Sequence, residues 1–525
     1  MGAMKVLPPT EFVLPASDRV PAKTRERFPS HPKRPAAAIA VCLLLVCVSL
    51  RTGRLPASVP DPEDLKTRLG HHLKACMAGG LYRSVEVGIH IETTDGKQDL
   101  YLRHPDRPFT PASVIKVITS GVAMSRFGPD HRFVTLIKTD GEILTGVLEG
   151  NLYLVGRGDP ALRDTHLREA VRFIRSSGIR KIKGDLVFDV SFLDEEAPRY
   201  PPNARHLYAP PSALTVNHNW LVIGYDRGPP VRLWTVPQTG YARLDYRVEF
   251  SPSDRPGLPA LTYRAESWGD RYDIRGKITR WDLRYKVLRL CVSRPGLFAA
   301  TLFQEACTRE GLKLMGIVRQ GVAGTGTRTI HTIRTRPLED ILRELNRESN
   351  NVVAELVNKD LGAHFKSPPG TREKGLDVLR EYCIAPIGLR PGSFTLDDAS
   401  GLSHGNRFSP RQITRILNHF YQKLGKRYAR TLAPQGHHAH ALRPVPPEGI
   451  RMFVKSGTLP SGGVNTVAGY IFRTGRSPLS FAIMAIRKGP GAKAYSGTYT
   501  IPLLAAMLEA LGSPLSNRRS LVYNR

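Results

Sequence analysis

Cysteine is scarce, six in 525 residues, and two of the six (Cys42 and Cys47) sit inside one apolar run. The other four, Cys76, Cys291, Cys307 and Cys383, are too widely spaced for a zinc site, and none is flanked like a catalytic thiol. In an oxidising compartment they allow three pairings, and the sequence does not choose among them. Acids are also few: 46 Asp and Glu stand against 76 Lys and Arg, a formal charge of +30. Internal repeats and long low-complexity tracts are absent, which excludes solenoid and collagen-like architectures. No zinc-finger spacing, aromatic RNP-like strand or basic zipper accompanies the positive charge, so nothing indicates a specific nucleic-acid reader. The charge reads either as attraction to anionic surfaces, such as lipid or acidic wall polymers, or as a merely soluble basic surface.

What is present is an ordinary globular balance, 41% hydrophobic and 23% charged, in a chain long enough for roughly two to four domains. Residues 1–34 hold seven Lys/Arg and three Asp/Glu, and the uncharged run Ala36 to Leu50 follows directly. That run is shorter than the about 20 residues that cross a bilayer, and it has the length of a signal-peptide core. The sequence therefore predicts an exported protein, periplasmic or otherwise extracytoplasmic, with a retained anchor as the alternative.

Helical signals begin at Asp61-Pro62-Glu63 and run toward Gly79. Two strands are expected at Val85–Thr93 and Asp99–Leu102, with a turn at Asp95-Gly96. A further helix is expected with Thr110 as cap and Pro111 first, ending at Gly128. From about 140 to 330 short strand-like runs dominate. Helical patterning then returns around Leu338–Leu345, Val352–Leu361 and Pro410–Leu424. Strands close the pattern at Met452–Val454, Thr466–Arg473 and Leu479–Arg487, before a last helix near Ile501–Leu511. The reading is an α/β framework at both ends with a β-rich block between.

Three short segments could carry chemistry. Ser113-Val114-Ile115-Lys116 puts a hydroxyl three residues before an amine on a helix's first turn, where both share a face. A buried lysine can lose its proton near neutral pH and act as base for a serine. Ser349-Asn350-Asn351 interrupts a helical pattern. Ser349 could relay a proton and Asn351 hold an amide, or the residues could simply cap the next helix. Lys455-Ser456-Gly457-Thr458 ends a strand. Lys455 could hold a carboxylate, Gly457 admit a substrate backbone and the Thr458 N–H face an oxyanion, or the segment could be a hairpin turn.

In this order the three segments resemble the signature motifs of penicillin-binding proteins and serine β-lactamases. Ser349 comes 236 positions after Ser113, and Lys455 comes 106 after Ser349. The long first interval is similar to that of the D-alanyl-D-alanine carboxypeptidase/endopeptidase family typified by penicillin-binding protein 4, peptidase family S13. Gly156-Arg157-Gly158-Asp159-Pro160, the stretch Tyr208 to Leu214 with Asn217, and Asp398-Ala399-Ser400-Gly401-Leu402-Ser403 resemble that family's G-x-G-D-P, Y-A-P-x-S-A-L-x-x-N and D-G-S-G-L-S segments.

The resemblance implies a transpeptidase-like α+β domain, of the penicillin-binding-protein and β-lactamase type, interrupted by a β-rich two-domain insertion. The implied division is a leader at 1–58, the first catalytic part at 59–139, the insertion at 140–330, the second catalytic part at 331–515 and a tail at 516–525. It further implies Ser113 as nucleophile, Lys116 as base, and Ser349 with Lys455 as the proton path to the leaving amine. Asn351, Ser456, Gly457 and Thr458 would bind substrate, with no cofactor and no metal. Peptidoglycan stem peptides would be the substrates and β-lactams the covalent inhibitors. Departures are K-S-G for the usual K-T-G, and the lack of an acid in Pro201–Leu207. Gln435–His440, with His437, His438 and His440, replaces another family segment. The first two departures motivate an alternative: a catalytically weak wall-binding or scaffolding protein that retains the fold.

Overall fold

A computed structural model describes residues 62–195, 209–226, 231–255, 257, 260–281, 289–435, 446–489 and 497–512. The expected apolar run at 36–50, the stretch 201–208, the histidines 437–440 and the tail 516–525 lie outside these. Among the described residues no helix is long and apolar enough to cross a membrane.

The chain opens with α1 (Pro62–Met77), β1 (Val85–Thr93) and β2 (Asp99–Arg103), then a 3₁₀ turn (Ala112–Ile115) leading into α2 (Lys116–Phe127). The interrupting block contributes β3 (Val134–Thr139), β4 (Ile143–Leu144), β5 (Val147–Leu148), β6 (Leu152–Val155), α3 (Asp164–Ser176), β7 (Lys181–Ile182) and β8 (Leu186–Asp189). It continues through β9 (Trp220–Asp226), β10 (Arg232–Val236), β11 (Ala242–Ser251), β12 (Ala260–Glu266), β13 (Gly269–Thr279) and β14 (Arg289–Cys291). It closes with α4 (Pro295–Arg309), β15 (Lys313–Leu314), β16 (Val318–Gln320) and β17 (Arg328–Arg334). Then come α5 (Leu338–Glu348), α6 (Asn351–Phe365), α7 (Arg372–Ile384), α8 (Pro410–Ala429), β18 (Ala433–Pro434), β19 (Ile450–Leu459), β20 (Val464–Arg473), β21 (Arg476–Arg487) and α9 (Thr500–Leu511).

The framework is an antiparallel sheet in the order β18-β19-β20-β21-β1-β2, built from both ends of the chain. Strand β20 is buried on both faces because its alternate side chains serve two cores. Val467 and Ile471 meet Leu65, Leu69 and Leu73 of α1 and Leu503, Leu504 and Met507 of α9, the four-residue spacing in α1 making one continuous stripe. Ala468 and Tyr470 meet Ile413, Ile416, Leu417 and Phe420 of α8 and the apolar side of α2. The result is an α+β sandwich with the sheet in the middle.

The insertion is built on two larger and two smaller sheets. A five-stranded sheet (β16-β8-β6-β3-β17) and a four-stranded one (β15-β7-β5-β4) share α3 and α4, while β10-β9-β14 and β11-β13-β12 form the remainder. At its edges, near the expected boundaries at 140 and 330, β3 and β17 pair with each other, Val134 opposite Arg334 and Thr139 opposite Arg328, and β3 also pairs with β6. The entry and exit strands, 134–139 and 328–334, thus lie in one sheet, since ladder hydrogen bonds decide which sheet a strand joins.

Asp270 is fully buried in the insertion, and its carboxylate accepts from Tyr241 Oη (3.1 Å), Tyr272 Oη (3.1 Å), the Ser293 N–H (2.7 Å) and Ser293 Oγ. Asp270→Ala leaves buried donors without an acceptor and is expected to cost about 3 kcal/mol, read as a lowered midpoint in urea unfolding. A midpoint unchanged from wild type would show the cluster to be energetically idle. Cys76, Cys291, Cys307 and Cys383 form no disulfide.

Candidate active site

The strand β2 hands the chain to a strained turn. Ala112 has φ +47°, a left-handed value costly for a residue with a Cβ, and Ser113 follows it on the 3₁₀ turn. This corrects the expectation that Thr110 caps the helix. Its hydroxyl instead accepts from Arg407 Nη1 (2.8 Å), and the Pro111 carbonyl is held by Thr466 Oγ1 (2.7 Å). Gly401, at φ +84°, lies behind the same turn, where a Cβ would fall 2.1 Å from the Ala112 carbonyl oxygen. Only glycine fits both the angle and the gap.

Lys116, first residue of α2, is fully buried. Its Nζ lies 3.0 Å from Ser113 Oγ and 2.7 Å from Asn351 Oδ1, and it also donates to the Ser400 carbonyl. Burial pushes its amine down to about 7, against the opposing pull of the Asp398 and Glu355 carboxylates. Asp398 is itself fixed by the N–H groups of Gly401 (2.7 Å) and Ser403 (2.8 Å) and by Asn406 Nδ2 (2.6 Å). Glu355 accepts from the Ala399 N–H (3.2 Å), and burial, then the Asp398 charge, raise its carboxyl.

The Ser349–Asn351 segment contains a helix cap, and its two outer residues meet buried lysines. Asn350 is the cap, its Oδ1 accepting from the Val353 N–H (3.2 Å) at the start of α6. Ser349 ends α5 in a left-handed conformation, φ +53°, which turns its hydroxyl toward Lys455. Lys455 is fully buried within β19 rather than at its end, and its Nζ donates to Ser349 Oγ (3.0 Å) and the Ser456 carbonyl (2.7 Å). Burial, then the charge of Lys116, pushes the Lys455 amine well down. Two residues on, Gly457 closes the site: a Cβ there would lie 2.7 Å from the Ser113 backbone nitrogen and 2.6 Å from Thr466 Oγ1. Thr458 Oγ1 accepts from Asn465 Nδ2 (3.3 Å).

The structure thus gathers Ser113, Lys116, Ser349, Asn351, Lys455 and Gly457 in one cleft, with Ser456 and Thr458 beside them on β19. Each of two hydroxyls lies 3.0 Å from a buried amine. Such an arrangement can take a proton from one hydroxyl and deliver one through the other. Sequence reasoning did not single out the Ser400 carbonyl, Thr466 or Glu355. Only Glu355 left a trace, four residues after Asn351 and so on the same face of α6.

A second cluster, His90, Glu92 and Asp99, brings its ligand-type atoms within 4.8 Å of one another. The Arg411 guanidinium already sits on Asp99 (3.2 Å) and beside His90 (3.3 Å), so a cation occupies the place a metal would need.

A family model described as the D-Ala-D-Ala carboxypeptidase 3 (S13) family matches residues 71–494. A D-alanyl-D-alanine carboxypeptidase of Actinomadura sp. (strain R39) is 26% identical over 466 residues, covering 83% of this chain and 84% of that protein. The D-alanyl-D-alanine carboxypeptidase DacB of Haemophilus influenzae is 24% identical over 318 residues, 59% of this chain and 65% of that one. The crystal structure of penicillin binding protein 4 from Haemophilus influenzae superposes with a TM-score of 0.68 at 21% identity, covering 83% of this chain and 97% of that one.

Proposed function

The chain belongs to the D-Ala-D-Ala carboxypeptidase 3 (S13) family, and on that footing we propose that it is a penicillin-sensitive serine D-Ala-D-Ala carboxypeptidase of peptidoglycan peptides, working through an acyl-enzyme on Ser113. The observation that carries this reading is the pair of 3.0 Å contacts between hydroxyl and buried amine, Ser113 with Lys116 and Ser349 with Lys455.

The Lys116 amine accepts the Ser113 proton as Oγ attacks the carbonyl of the penultimate D-alanine. The backbone N–H groups of Ser113 and Thr458 receive the oxyanion. Ser349 passes its proton to the departing amine and is resupplied through Lys455. Asn351 and Ser456 orient the substrate's amide and carboxylate. That carboxylate, brought beside Lys455, raises the pKa that burial and then the Lys116 charge depress. Water then releases the acyl group. Cutting a peptide cross-link breaks the same kind of bond, so endopeptidase action needs no further group. The substrate places the protein outside the cytoplasm, and its positive charge suits an anionic envelope.

Intact-mass analysis after incubation with benzylpenicillin tests the reading. One adduct, mapped to the peptide bearing Ser113, is expected, together with D-alanine release from an acyl-D-Ala-D-Ala peptide. A folded protein that gains no mass would instead support the wall-binding alternative.

A further inference from the structure

Residues 217–219 of the insertion are unusual in their backbone. Asn217, His218 and Asn219 have φ values of +50°, +56° and +57°, three consecutive left-handed residues without a glycine. Such a run persists only where its surroundings over-determine it. Here they do: Asn217 Oδ1 and Nδ2 bond the Asp164 N–H (3.3 Å) and carboxylate (3.1 Å). Asn219 bonds the Val216 N–H (3.2 Å), the Pro210 carbonyl (2.7 Å) and Thr215 Oγ1 (3.2 Å). Both asparagines are spent on holding the turn. His218, between them, packs edge-on against Trp220 of its own body and also reaches α5 and the start of α6.

Its buried ring lies against the middle residue of the Ser349–Asn351 segment, His218 Nδ1 being 3.2 Å from Asn350 Nδ2. The hydrogen-bond pattern fixes the ring's tautomer. Asn350 Oδ1 already accepts from Val353, so Nδ2 is the donor and His218 Nδ1 must accept. The ring proton is then on Nε2, which faces Glu344 Oε1 at 3.1 Å; Arg163 Nη2 also lies 3.1 Å from Nε2, and with that nitrogen protonated the guanidinium donates to Glu344 Oε1 (3.5 Å) rather than to the ring. Glu344 is in turn ion-paired with Arg336 and, at 3.5 Å, with Arg163, which keeps it an acceptor. Burial opposes a charge on the ring, and the neutral form is the one this pattern needs. The chain Glu344–His218–Asn350 thus runs from α5 through the insertion to the cap of α6. Asn350 has Ser349, itself left-handed, on one side and Asn351 on the other.

We propose that His218 is a positioning residue through which the inserted domain holds the Ser349–Asn351 turn in its working geometry, so that Ser349 meets Lys455 and Asn351 meets Lys116. This rests on Ser113 being the acylated nucleophile. Neither His218 nor Asn350 reaches a reacting atom; their effect is transmitted through the two residues flanking Asn350. A displacement of about 1 Å at such a site is enough to slow chemistry by on the order of 100-fold without loss of fold.

The test uses the full chain and compares the rate of penicillin acylation with the affinity of the initial non-covalent complex. His218→Gln keeps a polar end toward Glu344 but no acceptor at the Nδ1 position, and it should acylate roughly 10- to 100-fold more slowly, with similar initial affinity. His218→Asn places an acceptor where Nδ1 was and tolerates a left-handed φ, so it should recover to within about threefold of wild type. Asn350→Ser preserves the helix cap, but its shorter hydroxyl cannot cap Val353 and also reach His218, and the double variant with His218→Gln should be no slower than the worse single one. Far-ultraviolet circular dichroism and melting establish that each variant is folded. Wild-type acylation in His218→Gln, or no recovery in folded His218→Asn, overturns the proposal. Should His218→Gln not fold, Asn350→Ser decides in its place, and a wild-type rate there overturns the proposal as well. Failure of the underlying reading is distinguishable, because in that case wild type would gain no adduct at all or Ser113→Ala would still be labelled.

Discussion

Ser113→Ala is expected to form no penicillin adduct, and Lys116→Ala to acylate about 10³- to 10⁴-fold more slowly than wild type. The double variant should release D-alanine no more slowly than Ser113→Ala alone, because nucleophile and base act as a unit. The reason is in the cleft: Lys116 is the base nearest Ser113 Oγ, at 3.0 Å, and its burial has already brought the amine to about 7. The sign of the pH effect follows. On the proposed mechanism the neutral amine is the base, so acylation should rise about tenfold per unit as pH approaches 7 from below and level off above it. Lys116→Ala removes that limb. Rates of adduct formation across pH 5 to 9 check both statements. A Lys116→Ala rate within tenfold of wild type would transfer the role of base to another group.

The second large effect comes from a single methyl group. Gly457→Ala puts a Cβ 2.7 Å from the Ser113 backbone nitrogen, 2.6 Å from Thr466 Oγ1 and 2.9 Å from the Ala112 Cβ. Relief requires β19 to move off the nucleophile turn or Thr466 to rotate and release the Pro111 carbonyl. Either shift moves an oxyanion donor relative to Ser113 Oγ. Loss of one such donor costs on the order of 10²- to 10³-fold in rate. Overpacking adds about 1–3 kcal/mol of destabilisation, far less than unfolding needs. The expected signature is therefore a folded, poorly acylating protein. Normal acylation with a lowered melting point would show that the close approach serves packing alone.

Much of this site could be read from the chain because its chemistry sits in short segments. Ser113 and Lys116 are within one turn, Ser349 and Asn351 straddle a helix start, and Lys455 with Gly457 lies on one strand. Helices α1, α5 and α8 were equally legible, their apolar residues recurring at three and four. The rest depends on neighbours far away in sequence. Nothing near residue 400 announces that the Ser400 carbonyl meets Lys116, nor near 466 that a threonine hydroxyl fixes Pro111. Helix α7 escaped because Gly375 interrupts it. That glycine lies against α6, where a Cβ would fall 2.1 Å from the Asn358 carbonyl oxygen, so packing overrode a poor helix former. Strands β10 to β13 are hard to read in the sequence because their patterning is diluted by charged residues on the open face, where Arg271 and Arg275 pair with Asp245 and Asp273.

The pairing of β1 with β21 sets the order in which a newly made molecule matures. The inserted body lies entirely between the two strands and closes through its own entry and exit pair, so it can assemble before β19 to β21 join the sheet. The central sheet cannot close until β21 arrives, since β1 has no partner on that side before then. Lys455, on β19, is tied to the same closure through β20. A chain still lacking these three strands therefore holds a serine beside a lysine with no second amine opposite, and the site is complete only once they have joined.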